Sequence, residues 1–377
     1  MNLFVDAIAR WSSLGLDALN QRVGPYMPEH FLASTRQLEP ALGPHAREVD
    51  EILAAFTARR GESSLWRNPE IYAQIALLAE AARRHDDLTP RLASLRVHAG
   101  LVPLRSATIG DGTYRLMHVD GSIGIVSAGT IEDIGPRIVT TCDAYRGLIL
   151  RPHPGLFADL IAPALYPTVA DADNARDATD VDSDNDNHDG ADRIVGALRR
   201  LARDCPDVFA DFEDVVSTVV LVPDLHDQAR WSYNLRLSYF GGIFLNAYAT
   251  TGVQGLVEGL IHEYYHQRLW QWWAYEQPDG LPPEEATLRS PVTGRVKSVR
   301  VMIHALLIYV AIYDYYLSQR GGDEDAWVSA RLDLLRTAIP ELHRSLSAWI
   351  GSGTILRAMV DDAAERFAVA AGTQAVA

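Results

Sequence analysis

The residues best suited to chemistry are His262, Glu263 and His266, which form a His-Glu-x-x-His (HExxH) motif inside the stretch 255–270. The stretch predicts a helix with an apolar side, and residues four apart on a helix project from the same face. Two imidazoles in that position suit a single metal ion, and the carboxylate between them lies close enough to act on a metal-bound water. The motif therefore predicts half of a metal site.

A catalytic metal site needs a third protein ligand and at least one open position. His304 is a candidate, because it lies in the otherwise almost wholly apolar stretch 301–312, where a buried imidazole needs a partner. A hydrogen bond to a backbone carbonyl or a tyrosine would satisfy it equally well. Glu276, Glu284 and Glu285 are the carboxylate alternatives, and the residues that follow the motif exclude the metzincin continuation.

Arg300 stands one turn before His304 on the same predicted helix, so a cation is expected beside the metal. A guanidinium suits the carboxylate of a substrate or co-substrate, because it can donate two parallel hydrogen bonds to that group. This helix is therefore predicted to supply both a metal ligand and an anion-binding group.

The segment 253–312 resembles a known family, the HExxH-type peptide-modifying proteins of ribosomal natural-product pathways. The matching features are the HExxH motif, the Ser-Pro pair at 290–291, and His304 at the family's distance downstream in an apolar helix. The strand-like stretch 241–246 before the motif is similar as well. The resemblance covers a minor part of the chain.

The resemblance implies a 2-oxoglutarate-dependent peptide β-hydroxylase that uses Fe(II) and acts on a precursor peptide. His262, His266 and His304 would hold the iron and leave positions for a chelating 2-oxo acid and for O₂. This sequence has Lys-Ser at 297–298 where the family tends to carry Arg-Pro, so several residues are candidates for the co-substrate contacts. They are Arg300, Lys297, Arg295 and Ser290.

The residues themselves leave other functions open. Three imidazoles suit zinc as well as iron, and the usual non-haem iron site has two histidines and one carboxylate. A zinc metallopeptidase would use Glu263 as general base on a zinc-bound water, and Glu276 or Glu284 could then replace His304. The third alternative is a non-enzymatic scaffold whose metal is structural.

The hydrophobic pattern predicts an α+β fold that is predominantly helical. Residues 1–170 are expected to form a helical region followed by a small mixed sheet, because helical spacing gives way to short apolar strands. Residues 171–192 hold a run of Asp, which predicts a disordered acidic insertion. Residues 193–377 are expected to form the metal-binding catalytic region, with buried strands at 215–222 and 243–245 ahead of a zincin-like helix pair.

The composition excludes several classes of protein. A net charge of −15 over 377 residues argues against a nucleic-acid-binding surface and against anionic membranes. Cys142 and Cys205 lack metal-ligand spacing and are expected to be free thiols in a reducing compartment. The first residues lack a secretory signal pattern, and 301–312 is too short to span a bilayer, so a cytoplasmic location is expected.

Overall fold

The computed structural model describes residues 42–59, 69–101, 114–117, 122–127, 130–136, 138–150, 184–222, 232–233, 239–246, 252–276, 280–319 and 326–374. These residues form two compact units: those up to Gln271 belong to the first and those from Trp272 onward to the second. The fold is mostly helical with a smaller content of sheet, which confirms the α+β prediction. Helices predicted before residue 42 lie outside the described residues.

The first unit begins with helices that pack on one another through apolar faces. Val49, Ile52, Leu53 and Phe56 recur at helical spacing in the first helix, and all are buried. Pro69 opens the second helix, where the missing N–H costs nothing because that group has no partner inside a helix. After a 3₁₀ turn (Gly43–His45), the helices are α1 (Ala46–Ala58), α2 (Pro69–Arg84) and α3 (Thr89–His98).

A small antiparallel sheet comes next in the chain. Its strands are β1 (Tyr114–Met117), β2 (Ser122–Ser127) and β3 (Thr130–Pro136), and β2 is the central strand. The register places Tyr114 opposite Val126. This sheet lies within residues 1–170, where the sequence predicts strands after the first helices.

A five-stranded sheet forms the centre of the first unit. Its strands are β4 (Ile138–Cys142), β5 (Tyr145–Leu150), β6 (Thr218–Val222), β7 (Ser232–Tyr233) and β8 (Gly242–Asn246). The spatial order is β4-β5-β6-β8-β7, with parallel pairing among the three central strands and antiparallel pairing at both edges. The sheet is therefore mixed. It joins two strands from before residue 171 with three from after residue 192, and every residue of β8 is buried.

Two helices pack on the β4–β5 side of this sheet: α4 (Asp184–Asp204) and α5 (Pro206–Val215). Helix α4 takes up residues 184–192 of the predicted acidic insertion. Residues 171–183 lie outside the described residues. Strand β6 starts only at Thr218, because Val215 still belongs to α5.

The HExxH motif lies on a long helix, α6 (Gly252–Glu276), as the sequence predicts. Its residues up to Gln271 belong to the first unit. Tyr264 on α6 joins an aromatic cluster with Phe212 of α5, at a centroid distance of 6.0 Å, and Phe212 in turn lies 5.7 Å from Tyr145 of β5. The aromatic cluster therefore ties the motif helix to α5 and to the sheet.

The second unit contains a short antiparallel hairpin and a packed set of helices. Its elements are β9 (Thr287–Arg289), β10 (Val296–Ser298), α7 (Val299–Ser318), α8 (Ala326–Ser347) and α9 (Ile355–Gln374). Ser298 caps α7, since its hydroxyl accepts a hydrogen bond from the Val301 N–H at 3.3 Å. Helices α7, α8 and α9 pack pairwise.

Helix α7 is the one helix among the described residues that is long and apolar enough to cross a membrane. Most of it is buried inside its unit, as expected for the central helix of a helical core. Tyr313 on this helix packs edge-to-face on Phe367 of α9, with ring centroids 4.9 Å apart. The apolar character of α7 is therefore used in packing against its neighbours.

Candidate metal centre

His262 and His266 lie together on α6. Their ring centroids are 4.8 Å apart and the rings are inclined at 69°. The His262 side chain is 25% exposed, and His266 is also half-buried. The two imidazoles are therefore neighbours on the helix surface, as the i, i+4 spacing predicts.

Glu263 is buried beside this pair. Its Oε1 accepts a hydrogen bond from the Ser232 hydroxyl at 2.7 Å, and the same oxygen lies 4.0 Å from Nε2 of His262. Ser232 is on β7, the edge strand of the five-stranded sheet. The carboxylate is therefore oriented by the sheet and directed towards the His262 nitrogen.

Gln267, the residue after the second histidine, fixes α6 to the start of β8. Its Nε2 donates to the Gly242 carbonyl at 3.0 Å, and its Oε1 accepts from the Gly241 N–H at 3.3 Å. Gly241 has a φ of +87°, and a Cβ at Gly242 would lie 2.2 Å from the Tyr239 ring. The turn therefore requires both glycines, and it presents two backbone groups to a single side chain.

On the side of α6 away from the His262–His266 pair, a buried polar network joins this helix to α5. The Arg268 guanidinium forms a two-pronged ion pair with Asp211 of α5, with Nε donating to Oδ2 at 2.8 Å, and Nη1 donates to Gln271 Oε1 at 2.9 Å. The Tyr264 hydroxyl also donates to Asp211. Burial, together with the Asp211 carboxylate, raises the pKa of Tyr264 well above its usual value, so this hydroxyl keeps its proton and remains a donor.

His304 belongs to the second unit and is fully buried on α7. The Trp273 indole lies edge-on against it, with centroids 4.3 Å apart and an interplanar angle of 80°. Arg300 lies one turn earlier, half-buried, and its Nε donates to the Pro282 carbonyl at 2.9 Å. The imidazole is thus held in a dry, aromatic environment with a cation on the preceding turn.

The other predicted co-substrate residues lie in the β9–β10 hairpin. Ser290 is buried, and its hydroxyl accepts from the Thr293 N–H at 3.2 Å, which gives it a structural role in the turn. Arg295 is exposed at the end of that turn, and Lys297 is half-buried in β10 opposite Leu288. Ser290, Arg295 and Lys297 are therefore close in space to one another.

The ligand set that the sequence predicts, His262, His266 and His304, stays a prediction. Across the part of the chain that the structure describes, no set of three or more His, Cys, Asp or Glu side chains is placed to hold a metal ion. The structure places the His262 and His266 rings side by side, and the part of each histidine in holding a metal stays a prediction. The carboxylate alternatives Glu284 and Glu285 are both exposed in a turn.

Sequence reasoning missed several polar residues around the motif. Ser232 and Asp211 lie far from it in the chain, and no local pattern marks them as neighbours of α6. Glu258 could have been found, since it precedes His262 by one turn and therefore lies on the same helix face. It is 2% exposed, so a second carboxylate is buried on the motif helix.

The chain was compared with known proteins. It matches no protein-family model and no curated protein sequence. The resemblance to the HExxH-type peptide-modifying proteins therefore depends on the motif residues themselves.

Proposed function

We propose that this chain is a metal-dependent enzyme that β-hydroxylates a ribosomally made precursor peptide, using Fe(II), 2-oxoglutarate and O₂. The observation that carries the proposal is the His262–His266 pair, two imidazoles 4.8 Å apart on a helix that is fixed to its surroundings on several sides. A helix held in this way supports a preformed ligand pair. The motif resemblance supplies the reaction class.

His262, His266 and His304 are proposed to hold the iron. Bound iron and 2-oxoglutarate would supply the oxidising chemistry, and the chain's own residues would orient the partners. The full burial of His304 and its contact with Trp273 would exclude water from its side of the site. Arg300 is proposed to bind a carboxylate of 2-oxoglutarate, since it is half-buried and lies one turn before His304.

Glu263 is proposed to orient groups bound near His262. The Ser232 hydrogen bond fixes its carboxylate, and its Oε1 lies 4.0 Å from the His262 Nε2. The same distance favours the second candidate function, a zinc metallopeptidase, in which this carboxylate would take a proton from a zinc-bound water.

The test is anaerobic purification, Fe(II) loading, and incubation with 2-oxoglutarate, O₂ and a precursor peptide encoded nearby. Succinate and a peptide heavier by one oxygen atom are expected. A peptidase would instead contain zinc, cleave the peptide, and lose cleavage in Glu263→Gln. In the hydroxylase the glutamine keeps an oxygen that can accept from Ser232, so most activity should remain.

Measuring the metal content of histidine variants tests the proposed ligands independently of enzymatic activity. His262→Ala and His266→Ala should each lose the metal, whereas His343→Ala, on α8, should retain it. His304→Gln keeps the size and polarity of this buried position, and circular dichroism would check its fold. Stoichiometric metal in a folded His304→Gln protein would remove His304 from the ligand set.

A further inference from the structure

The β9–β10 hairpin is held by backbone hydrogen bonds near its turn and at its base, and each of its two strands has an outer edge. Beyond the strand pairing itself, the Ser290 N–H donates to the Arg295 carbonyl and the Val299 N–H donates to the Ala286 carbonyl, each at 2.8 Å. Among the strands that the structure describes, β9 and β10 pair only with each other. Each strand therefore has an outer edge that no other described strand occupies.

The hairpin is basic in an acidic protein. Residues 286–300 contain four cations and neither Asp nor Glu, whereas the whole chain has a net charge of −15. The nearest acids in the sequence are Glu284 and Glu285, which precede the base of the hairpin, away from its turn. The four cations are Arg289, Arg295, Lys297 and Arg300.

One face of the hairpin combines a cation with an apolar side chain. Val296 stands directly opposite Arg289 in the register, so both project from the same face. Val296 is 59% exposed, and Arg289 is exposed as well. An extended chain that pairs with either edge would place alternate side chains over this face.

We infer that the β9–β10 hairpin is the docking site for an acidic, extended segment of the peptide, which adds to it as a further strand. Main-chain hydrogen bonds along an edge give such complexes their affinity, and the alternate side chains give them their specificity. Carboxylates at alternate positions of the segment would lie over the face that carries Arg289 and pair with its guanidinium, and the apolar residues between them would face the opposite side, which carries Leu288. The inference rests on the proposed function for the identity of the peptide as the substrate.

A peptide fits this surface better than a nucleic acid does. The charge of the chain as a whole repels a long polyanion, and a few local cations match the few carboxylates of a peptide segment. A strand edge also offers main-chain donors and acceptors in the spacing of another peptide backbone.

Docking can be measured without metal or co-substrate. The probe is a fluorescein-labelled peptide that alternates valine and glutamate, and its binding to the full chain is followed by fluorescence anisotropy. Parallel probes are a valine–lysine peptide, a valine–glutamate peptide N-methylated at alternate residues, and a single-stranded oligonucleotide. We expect the unmodified acidic peptide to bind, and each of the other probes to bind at least roughly tenfold more weakly.

A charge-reversed variant tests the location of the site. The combined Arg289→Glu and Arg295→Glu protein should bind the acidic peptide roughly tenfold more weakly. Arg344→Glu, which reverses an exposed arginine on α8, is the matched control and should bind as the parent does. Circular dichroism would check that each variant is folded.

Several outcomes would overturn the inference. They are absence of binding, equal binding of the basic or N-methylated peptide, tighter binding of the oligonucleotide, and unchanged binding by the folded charge-reversed variant. Because the assay contains no metal, docking without any succinate formation would reject the proposed reaction and retain the binding site. Succinate formation without docking would reject the binding site and retain the proposed reaction.

Discussion

Glu263 is a buried carboxylate between two polar neighbours, Ser232 and His262. A carboxylate has several acceptor positions, and the short hydrogen bond from Ser232 occupies one of them on Oε1. The serine is on an edge strand, so the orientation of Glu263 depends on the short strand β7 as well as on its own helix. Function near His262 should therefore be sensitive to a residue of the sheet, outside the motif helix.

Ser232→Ala should lower kcat by roughly 10- to 150-fold while metal content stays unchanged, because a hydrogen bond to a carboxylate contributes about 1.5–3 kcal/mol. Steady-state kinetics with metal analysis would check this. Ser345→Ala on α8 is the control, since its hydroxyl bonds only to the preceding turn of its own helix, at Glu341. Loss of metal in Ser232→Ala would show that the serine supports the ligands instead.

Asp314 on α7 is a partly buried carboxylate whose Oδ2 has no hydrogen-bond partner among the described residues. Burial raises its pKa from 3.8 to about 6, and the attraction of Arg366 opposes that rise only in part. The folded state therefore binds the proton more tightly than the unfolded state does. Stability is lost as the pH rises from about 4 to about 6, because the unfolded chain ionises first.

Asp314→Asn removes this titration. Relative to the parent, the variant should gain up to about 3 kcal/mol of unfolding free energy at pH 7, and little at pH 4. Urea unfolding at the two pH values would measure the difference. Asp314→Ala is the companion variant, which should show the same pH dependence. An equal change at both pH values would contradict the prediction.

Helix α6 is held by neighbours on several sides, and each contact involves a residue within or next to the motif. Gln267 joins it to the turn before β8, and Glu263 joins it to β7. Arg268 joins it to α5 through Asp211. A catalytic constellation on a rigid element keeps its geometry better than one on a loop, so these contacts serve the His262–His266 pair.

Asp211→Ala should destabilise the protein by about 3–5 kcal/mol, because it leaves the Arg268 guanidinium buried without its carboxylate. Urea unfolding would measure the change. Asp333→Ala is the matched control, since it breaks an exposed pair with Arg336 and should cost less than about 1 kcal/mol. Similar losses of unfolding free energy in the two variants would show that burial does not increase the contribution of the Arg268–Asp211 pair to stability.

At the scale of the whole molecule, helices and strands could be predicted where the hydrophobic pattern is local in the sequence. The helical spacing around the motif and in 301–312 identified α6 and α7, and alternation and apolar runs identified several of the strands. The β9–β10 hairpin was not predicted, because strands of three residues are too short to show an alternating pattern of apolar and polar residues.

The contacts that fix the candidate site could not be predicted. Asp211 and Arg268 are 57 positions apart and Ser232 and Glu263 are 31 apart, so only the tertiary fold joins them. The pairing of His262 with His266 was predictable, because it is set by one helical turn. Whether His304 completes the ligand set depends on the same kind of long-range placement, so it stays a prediction.

Trp273 gives the protein an optical reporter of its own. Its indole ring stands 4.3 Å from the His304 imidazole, and it is one of eight tryptophans in the chain. Indole emission responds to a charge placed beside the ring, so binding of a cation to His304 should change the fluorescence. A difference spectrum against Trp273→Phe would isolate that signal and follow the state of this histidine in real time.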